Sequence, residues 1–183
     1  KEQSERLKHL IEDLLTIPDI EGMRLRTNVE SVWLYEVIEN ALLLVKNRDN
    51  KEVVVNVGED FPEVSGDKNR LEQVFTNLIE NAMKYAYPDT KIYVDAVVED
   101  NMAKIYVQNE CDVIPENKLN RLFEKFIRLD DNTTRTTRGT GLGLFIVKGL
   151  VEAMKGSIKL SSSEDCGFCV EVDLELATDE VSV

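Results

Sequence analysis

Apolar and polar positions alternate along this chain in two rhythms. From Leu7 to Leu15 the apolar residues Leu7, Leu10, Ile11, Leu14 and Leu15 fall on one helical stripe. Pro18 follows, where helices commonly stop, so a first helix is expected over Lys1 to Ile17. "SVWLYEVIENALLLVK", Ser31 to Lys46, predicts a second helix, and "KEVVVNVG" from Lys51 a strand. A third helix runs to about Ala86, with Asp67 as its cap and "YPD" as its end. Its buried side is Leu71, Val74, Phe75, Leu78, Ala82 and Ala86. Its other stripe is polar: Asn77, Asn81, Lys84 and Tyr85, at i, i+4, i+7 and i+8. Most such stripes are solvated faces. The Ile-Glu-Asn-Ala core also occurs at Ile38 to Ala41, so only Lys84 and Tyr85 set the second copy apart.

"KIYVDAVVED" and "MAKIYVQNE" predict a hairpin turning at Asp100-Asn101. A long stretch rich in Asn, Thr and Arg comes next, about 109–140, with one short helical piece, "ENKLNRLFEKF". Long irregular stretches in compact domains are often lids. "GTGLGLFIVKGLVEAMKG" opens on glycines and becomes a helix, and "SIKLSSS" with "FCVEVDLEL" predicts a closing hairpin. This order predicts an α/β fold, a helical layer on one face of a mixed sheet.

The 183 residues suffice for one domain with a real core, and 43% apolar with 31% charged content is ordinary for a soluble protein. No apolar run is long enough to span a bilayer, so no membrane contact by this stretch is expected. The opening "KEQSERLKHL" reads like the middle of a helix, as in a piece of a longer protein. A formal charge of −13 argues against a nucleic-acid partner. Locally the balance inverts. From Lys118 to Lys148 seven basic residues (Lys118, Arg121, Lys125, Arg128, Arg135, Arg138 and Lys148) face three acidic ones, which suggests an anion site.

Three cysteines, Cys111, Cys166 and Cys169, point to a reducing compartment and a cytoplasmic location, with a parent protein free to be membrane-anchored. "CGFC" at Cys166 to Cys169 imitates a redox motif but leads into a strand pattern, not a helix N-terminus. His9 is the single histidine, so a zinc site would lack ligands.

"RGTGLGLFIV" places glycines at a helix start, where orphan N–H groups and the helix dipole suit phosphate. It is neither a Walker loop nor a dinucleotide fingerprint. "NLIENAMKY", "LFEKF" and "GTGLGL", in that order, resemble the N box, F box and second glycine box of the histidine kinase ATP-binding domain. That superfamily also holds gyrase, the Hsp90 chaperone and MutL. The resemblance covers about Val29 to Leu176.

The resemblance implies a two-layer sandwich of a mixed sheet and helices with an ATP lid, the Bergerat-type fold. It implies a division into a dimerisation and phosphotransfer helix end (1–17), a linker (18–28), the ATP-binding domain (29–177) and a tail (178–183). It implies ATP and Mg²⁺ as cofactors. Asn81 would be the metal ligand, its side-chain carbonyl being a hard oxygen, with Asn77 beside it. Lys84 would offer charge to the phosphates and Tyr85 would pack near adenine or ribose. Arg128 would reach the phosphates, and the backbone of Gly139, Thr140, Gly141, Leu142 and Gly143 would cradle them. Phe123 and Phe126 would anchor the lid by burial.

ATPase members carry a Glu where this chain has Asn77, and an amide is no general base at neutral pH. The resemblance therefore implies phosphoryl transfer to a histidine rather than hydrolysis, with Asn77, Lys84 and Arg128 as the catalytic set. The implied partners are the phosphoacceptor-histidine domain of the parent kinase, a response regulator, and a second copy in a full-length homodimer. His9 lacks the pattern of the acceptor box and reads as a surface helix residue.

One motif departs. The family's first glycine box, Asp-x-Gly-x-Gly-Ile, is here "NECDVIPEN", with Asn109 for the Asp, Cys111 and Val113 for the glycines, and Ile114 kept. The family Asp accepts from the adenine amino group. Asn109 can accept without charge assistance, or offer its NH₂ to a guanine O6. Cys111 and Val113 either fill the space near the base or point into the core. Two readings stay open: an active kinase domain with an altered base pocket, and a pseudokinase that serves signalling contacts.

Overall fold

The computed structural model describes residues 2–45, 50–128 and 140–178, with side chains from Ile11 onward except Glu12. His9's side chain, Gly139, Arg135 and Arg138 lie outside the described set.

A five-stranded sheet carries the domain, in the order β2-β4-β5-β7-β6. Its strands are β2 (Val53–Asn56), β4 (Ile92–Glu99), β5 (Met102–Asn109), β6 (Ser157–Ser163) and β7 (Gly167–Glu175). β2 pairs with β4 in parallel and the other neighbours are antiparallel, so the sheet is mixed as expected. The hairpin turn falls on Asp100 and Asn101, at φ 53 and 61, the left-handed pair that a two-residue turn of this hand demands.

Against one face lie α2 (Leu34–Leu44), α3 (Lys68–Tyr85) and α5 (Gly143–Ala153). The sheet's inward side chains, among them Ile92, Val94, Ala103, Ile105, Val107, Val170, Val172 and Leu174, join theirs in one core. The apolar stripe read from α3 is buried throughout, with Ile79 added. Each large side chain in it contributes about 1.5–3 kcal/mol, so the stripe dictates which way the polar side must face.

Three elements differ from expectation. α1 (Glu2–Glu21) runs through Pro18 instead of stopping at Ile17. Gly22 N still donates to Pro18 O at 2.9 Å, so the turn closes without the proline's missing N–H. Ile17 is buried, and a Cβ at Gly149 of α5 would lie 2.6 Å from Ile20, so this last turn is held by tertiary packing. α2 begins at Leu34, because Glu30–Val32 forms β1 and pairs with β3 (Val64–Gly66) in a separate two-stranded sheet. The lid region opens with α4 (Glu116–Leu119) and a 3-10 turn (Asn120–Phe123). Among the described residues, no helix is long and apolar enough to cross a membrane.

Candidate functional site

The site lies where α3 meets α5. Asn77, Asn81 and Lys84 are half-buried along the side of α3 that its apolar stripe leaves free, and Tyr85 is exposed. Lys84 Nζ donates to Tyr85 Oη at 2.7 Å and stands 4.4 Å from that ring's centroid. The start of α5 faces Asn81: a Cβ at Gly143 would lie 3.4 Å from Asn81 Nδ2 and 4.0 Å from its Oδ1. Metal-ligand candidate and glycine box, 62 positions apart in sequence, are thus neighbours.

That helix start carries no side-chain cap. Leu142 stands at the N-cap position with its side chain buried, so the N-cap residue brings no side-chain acceptor to the first N–H groups of α5. Thr140 Oγ1 accepts from Leu142 N at 3.2 Å and shapes the approach. Gly141 sits at φ 71, and a Cβ there would come within 2.8 Å of the Phe126 backbone. Its carbonyl accepts from Phe126 N at 2.9 Å. Gly141 therefore joins the two stems of the lid, and only glycine allows that approach.

The lid is anchored otherwise than predicted. Phe126 is 62% exposed at φ 64, not buried. Leu119 and Leu122 are the buried anchors, and Phe123 lies under Lys148 Nζ at 5.1 Å from the ring centroid. Phe126 belongs to the turn that reaches Gly141, and that backbone role turns its side chain outward. Arg128, also exposed, ends the described stem. The basic count of this region is partly spent internally. Lys125 pairs with Glu21 of α1, Arg121 with Glu124 at 3.7 Å, and Lys148 with Glu152 at 3.8 Å.

The degenerate glycine box lies beside the C-terminal end of α3, where Tyr87 N meets Glu110 O. β5 buries every second residue, Ala103, Ile105, Val107 and then Asn109. Asn109 thus ends an apolar stripe as a buried amide, and among the described residues its Nδ2 has no partner at normal hydrogen-bond distance, the Cys111 thiol being a weak and poorly placed one. An orphan donor of this kind costs about 1–3 kcal/mol, which a ligand can return. Cys111 is half-buried; burial pushes its thiol up, against the opposing influence of the Asn109 amide. Val113 is 47% exposed, so it neither fills the space beside Asn109 nor enters the core.

Contacts that sequence reasoning missed hold this loop. Tyr87 N donates to Glu110 O at 2.9 Å, and Tyr87 Oη to Asp112 at 2.5 Å, a bond that raises the phenol above its ordinary range. Ile114 N donates to Ser162 Oγ at 2.9 Å. None has a sequence signature, since each partner is remote in the chain. Cys166 and Cys169 flank the start of β7; burial pushes the Cys169 thiol up to about 11, which disfavours thiolate chemistry.

Known proteins resemble this chain in sequence and fold. Residues 66–178 match the family described as histidine kinase-, DNA gyrase B-, and HSP90-like ATPase. The sensor histidine kinase WalK of Bacillus subtilis is 30% identical over 178 residues, 94% of this chain and 29% of its own length. The solved histidine kinase AdeS of Acinetobacter baumannii superposes with a TM-score of 0.75 at 26% identity, covering 97% of this chain and 82% of that one. Full-length ShkA in complex with AMPPNP gives a TM-score of 0.81 over 97% of this chain and 37% of its own, at 23% identity a likeness of fold. The chain belongs to the histidine kinase-, gyrase B- and HSP90-like ATPase family. Within it, this is an ATP-binding catalytic domain of the sensor histidine kinase kind. It spans about three tenths of the length of the curated relatives it matches.

Proposed function

We propose that this chain binds Mg²⁺·ATP between α3, α5 and the lid and directs its γ-phosphoryl to a histidine on a phosphoacceptor domain of the parent kinase. The observation that carries the reading is the uncapped start of α5 standing against Asn81. Free N–H groups at a helix start, with the positive end of its dipole, hold phosphate oxygens.

The residues fit the metal. Asn81 offers a carbonyl oxygen beside the proposed phosphate site, and Asn77 lies one turn earlier on the same helix. That suits Mg²⁺, which shares its shell between one or two protein oxygens, water and phosphates. Bound there, it would neutralise charge developing on the transferred group. Lys84 adds a cation on the same stripe, released from Tyr85 when phosphate arrives. Arg128 would reach the phosphates from the lid stem, with Gly139 to Gly143 as the cradle, and Tyr85 would pack near the base or ribose.

Asn77 decides the reaction type. A side-chain amide cannot take a proton from water at neutral pH. The domain therefore positions and stabilises, and the acceptor histidine brings the nucleophile. A response regulator would take the phosphoryl group from that histidine. Ile11, Leu14 and Leu15 of α1 are exposed, Leu15 by 69%, as expected for a dimerisation helix whose partner is a second copy.

Calorimetric titration with ATP, with and without Mg²⁺, tests the binding step, and radiolabel transfer from γ-labelled ATP to a separate acceptor domain tests the reaction. Mg²⁺-dependent binding with label on the acceptor histidine is the expected result. Steady ATP hydrolysis with no acceptor present would contradict the transfer reading. No binding at millimolar ATP would favour a pseudokinase role.

A further inference from the structure

Two of the three cysteines stand where neighbouring strands leave the sheet together. β5 and β7 pair antiparallel as far as Asn109 and Phe168. Glu110 and Gly167 come next, and Cys111 and Cys166 after them. The two backbones stay in contact past the last paired residues. A Cβ at Gly167 would lie 2.8 Å from Glu110 Cα and 2.8 Å from Cys111 N. Gln108 Nε2 donates to Cys166 O at 3.1 Å, which ties the β6–β7 turn back to β5. Ile114 N donates to Ser162 Oγ at 2.9 Å, and Ser162 Oγ donates in turn to Gly167 O at 2.6 Å. Contacts on both sides therefore hold a register that sets Cys111 opposite Cys166.

That placement suits a covalent bridge. Residues directly opposite in antiparallel strands have Cα atoms about 4.5–5.5 Å apart, and a disulfide spans about 4.4–6.8 Å between Cα atoms. Both thiols are free and half-buried. Burial pushes the Cys111 thiol up, the Asn109 amide opposes that rise, and Cys166 adds a smaller one, so the two sulfurs act on each other. Cys169 is the rival partner, as the other end of "CGFC". It lies within β7, opposite Gln108 and Ser161. A strand rises about 3.3 Å per residue, so three residues put its Cα roughly 10 Å from that of Cys166, too far to bridge. The spacing that imitates a redox motif keeps its own cysteines apart, and the strand register supplies a different partner.

We propose that Cys111 and Cys166 are a peroxide-oxidisable pair that closes a reversible disulfide between the exit of β5 and the β6–β7 turn. One thiolate attacks an oxygen of hydrogen peroxide, the O–O bond breaks, and a sulfenic acid and one water result. The second sulfur attacks the sulfenic sulfur, the S–S bond forms, the S–O bond breaks, and a second water leaves. Two thiols and one hydrogen peroxide thus give one disulfide and two waters, and a dithiol reductant reverses the step by exchange. In a reducing compartment the pair rests as thiols and closes when peroxide arrives. The bridge acts on the segment that leads from β5 to α4, which Tyr87 and Ser162 hold through hydrogen bonds. Oxidation makes that hold covalent at the base of the lid region.

The test is a free-thiol count and a non-reducing peptide map of the reduced chain, before and after a small molar excess of hydrogen peroxide. The count should fall from three to one, the map should join the Cys111 and Cys166 peptides, and dithiothreitol should restore all three thiols. Cys169→Ser should close the same bridge at a rate within about twofold of the unaltered chain, because Cys169 takes no part. Cys111→Ser should close no bridge within the chain, and dimedone should then label Cys166 as its sulfenic acid. The bridged chain should melt about 5 °C or more above the reduced one, since a bridge in unstrained geometry that closes a long loop stabilises the fold. Three thiols left unchanged, a Cys166–Cys169 bridge, or bridges formed only between chains would each overturn the proposal. A bridged chain that melts lower than the reduced one would overturn it too, because the two positions would then not face each other in the folded state.

Discussion

Two helix starts in this domain are built in opposite ways. At α3 the N-cap is Asp67, whose carboxylate accepts from Arg70 N at 3.2 Å and from Asn28 N at 2.8 Å. One side chain satisfies the helix and ties it to the preceding loop. At α5 the N-cap is a buried leucine with no polar atom to offer, and glycines lead into it. Both helices pack into one core, so the difference is not a matter of burial. It lies in whether the N-cap residue brings an acceptor. The α3 start is closed by the chain itself and serves stability. Among the described residues the α5 start, beside Asn81, has no side-chain cap and forgoes the roughly 1 kcal/mol one would contribute. An open helix end against a neutral oxygen ligand has a reason in an anion and its metal.

Substitutions at the two ends should separate binding from stability. Gly141→Ala should have the largest effect on binding. Its left-handed φ and the close Phe126 backbone both oppose a Cβ, and Mg²⁺·ATP affinity should fall about a hundredfold or more in calorimetry. Asn81→Ala should weaken binding about thirtyfold in Mg²⁺ and hardly at all in EDTA, with the nucleotide-free melting temperature unchanged. An equal loss in EDTA would show that Asn81 acts without the metal. Gly143→Ala should weaken binding about tenfold while the melting temperature holds or rises, because alanine favours a helix by up to about 1 kcal/mol over glycine. Asp67→Ala should leave affinity within about twofold and lower unfolding free energy by about 1–2 kcal/mol in urea titration. A large affinity loss there would abolish the contrast between the two helix starts.

Much of this was legible in the sequence, and the exceptions share a cause. α3 announced itself through Asp67, a continuous apolar stripe and the "YPD" stop, all local signals. The Asp100-Asn101 turn was equally local. β1 and β3 were missed because three residues carry no periodicity and their pairing joins remote segments. α1 passed Pro18 because Ile17 and Ile20 pack on the domain, which no local rule contains. The basic stretch promised more free charge than the structure leaves, since Lys125 is met by Glu21, 104 positions away. The Asn81–Gly143 juxtaposition was reached through resemblance, not through spacing. The orphan state of Asn109 needed the strand register, which alone puts that amide on the inward face.

The contrast between the two helix starts can be read in one experiment. Amide chemical shifts of isotopically labelled protein would be followed during titration with Mg²⁺ and inorganic tripolyphosphate, which carries the phosphates without the base. The predicted result is saturable shifts at Gly141 to Phe145 and at the Asn81 side chain, with Lys68 to Arg70 unmoved. Shifts centred on the start of α3, or spread evenly over lysines and arginines, would contradict the assignment of α5 as the phosphate end of the site.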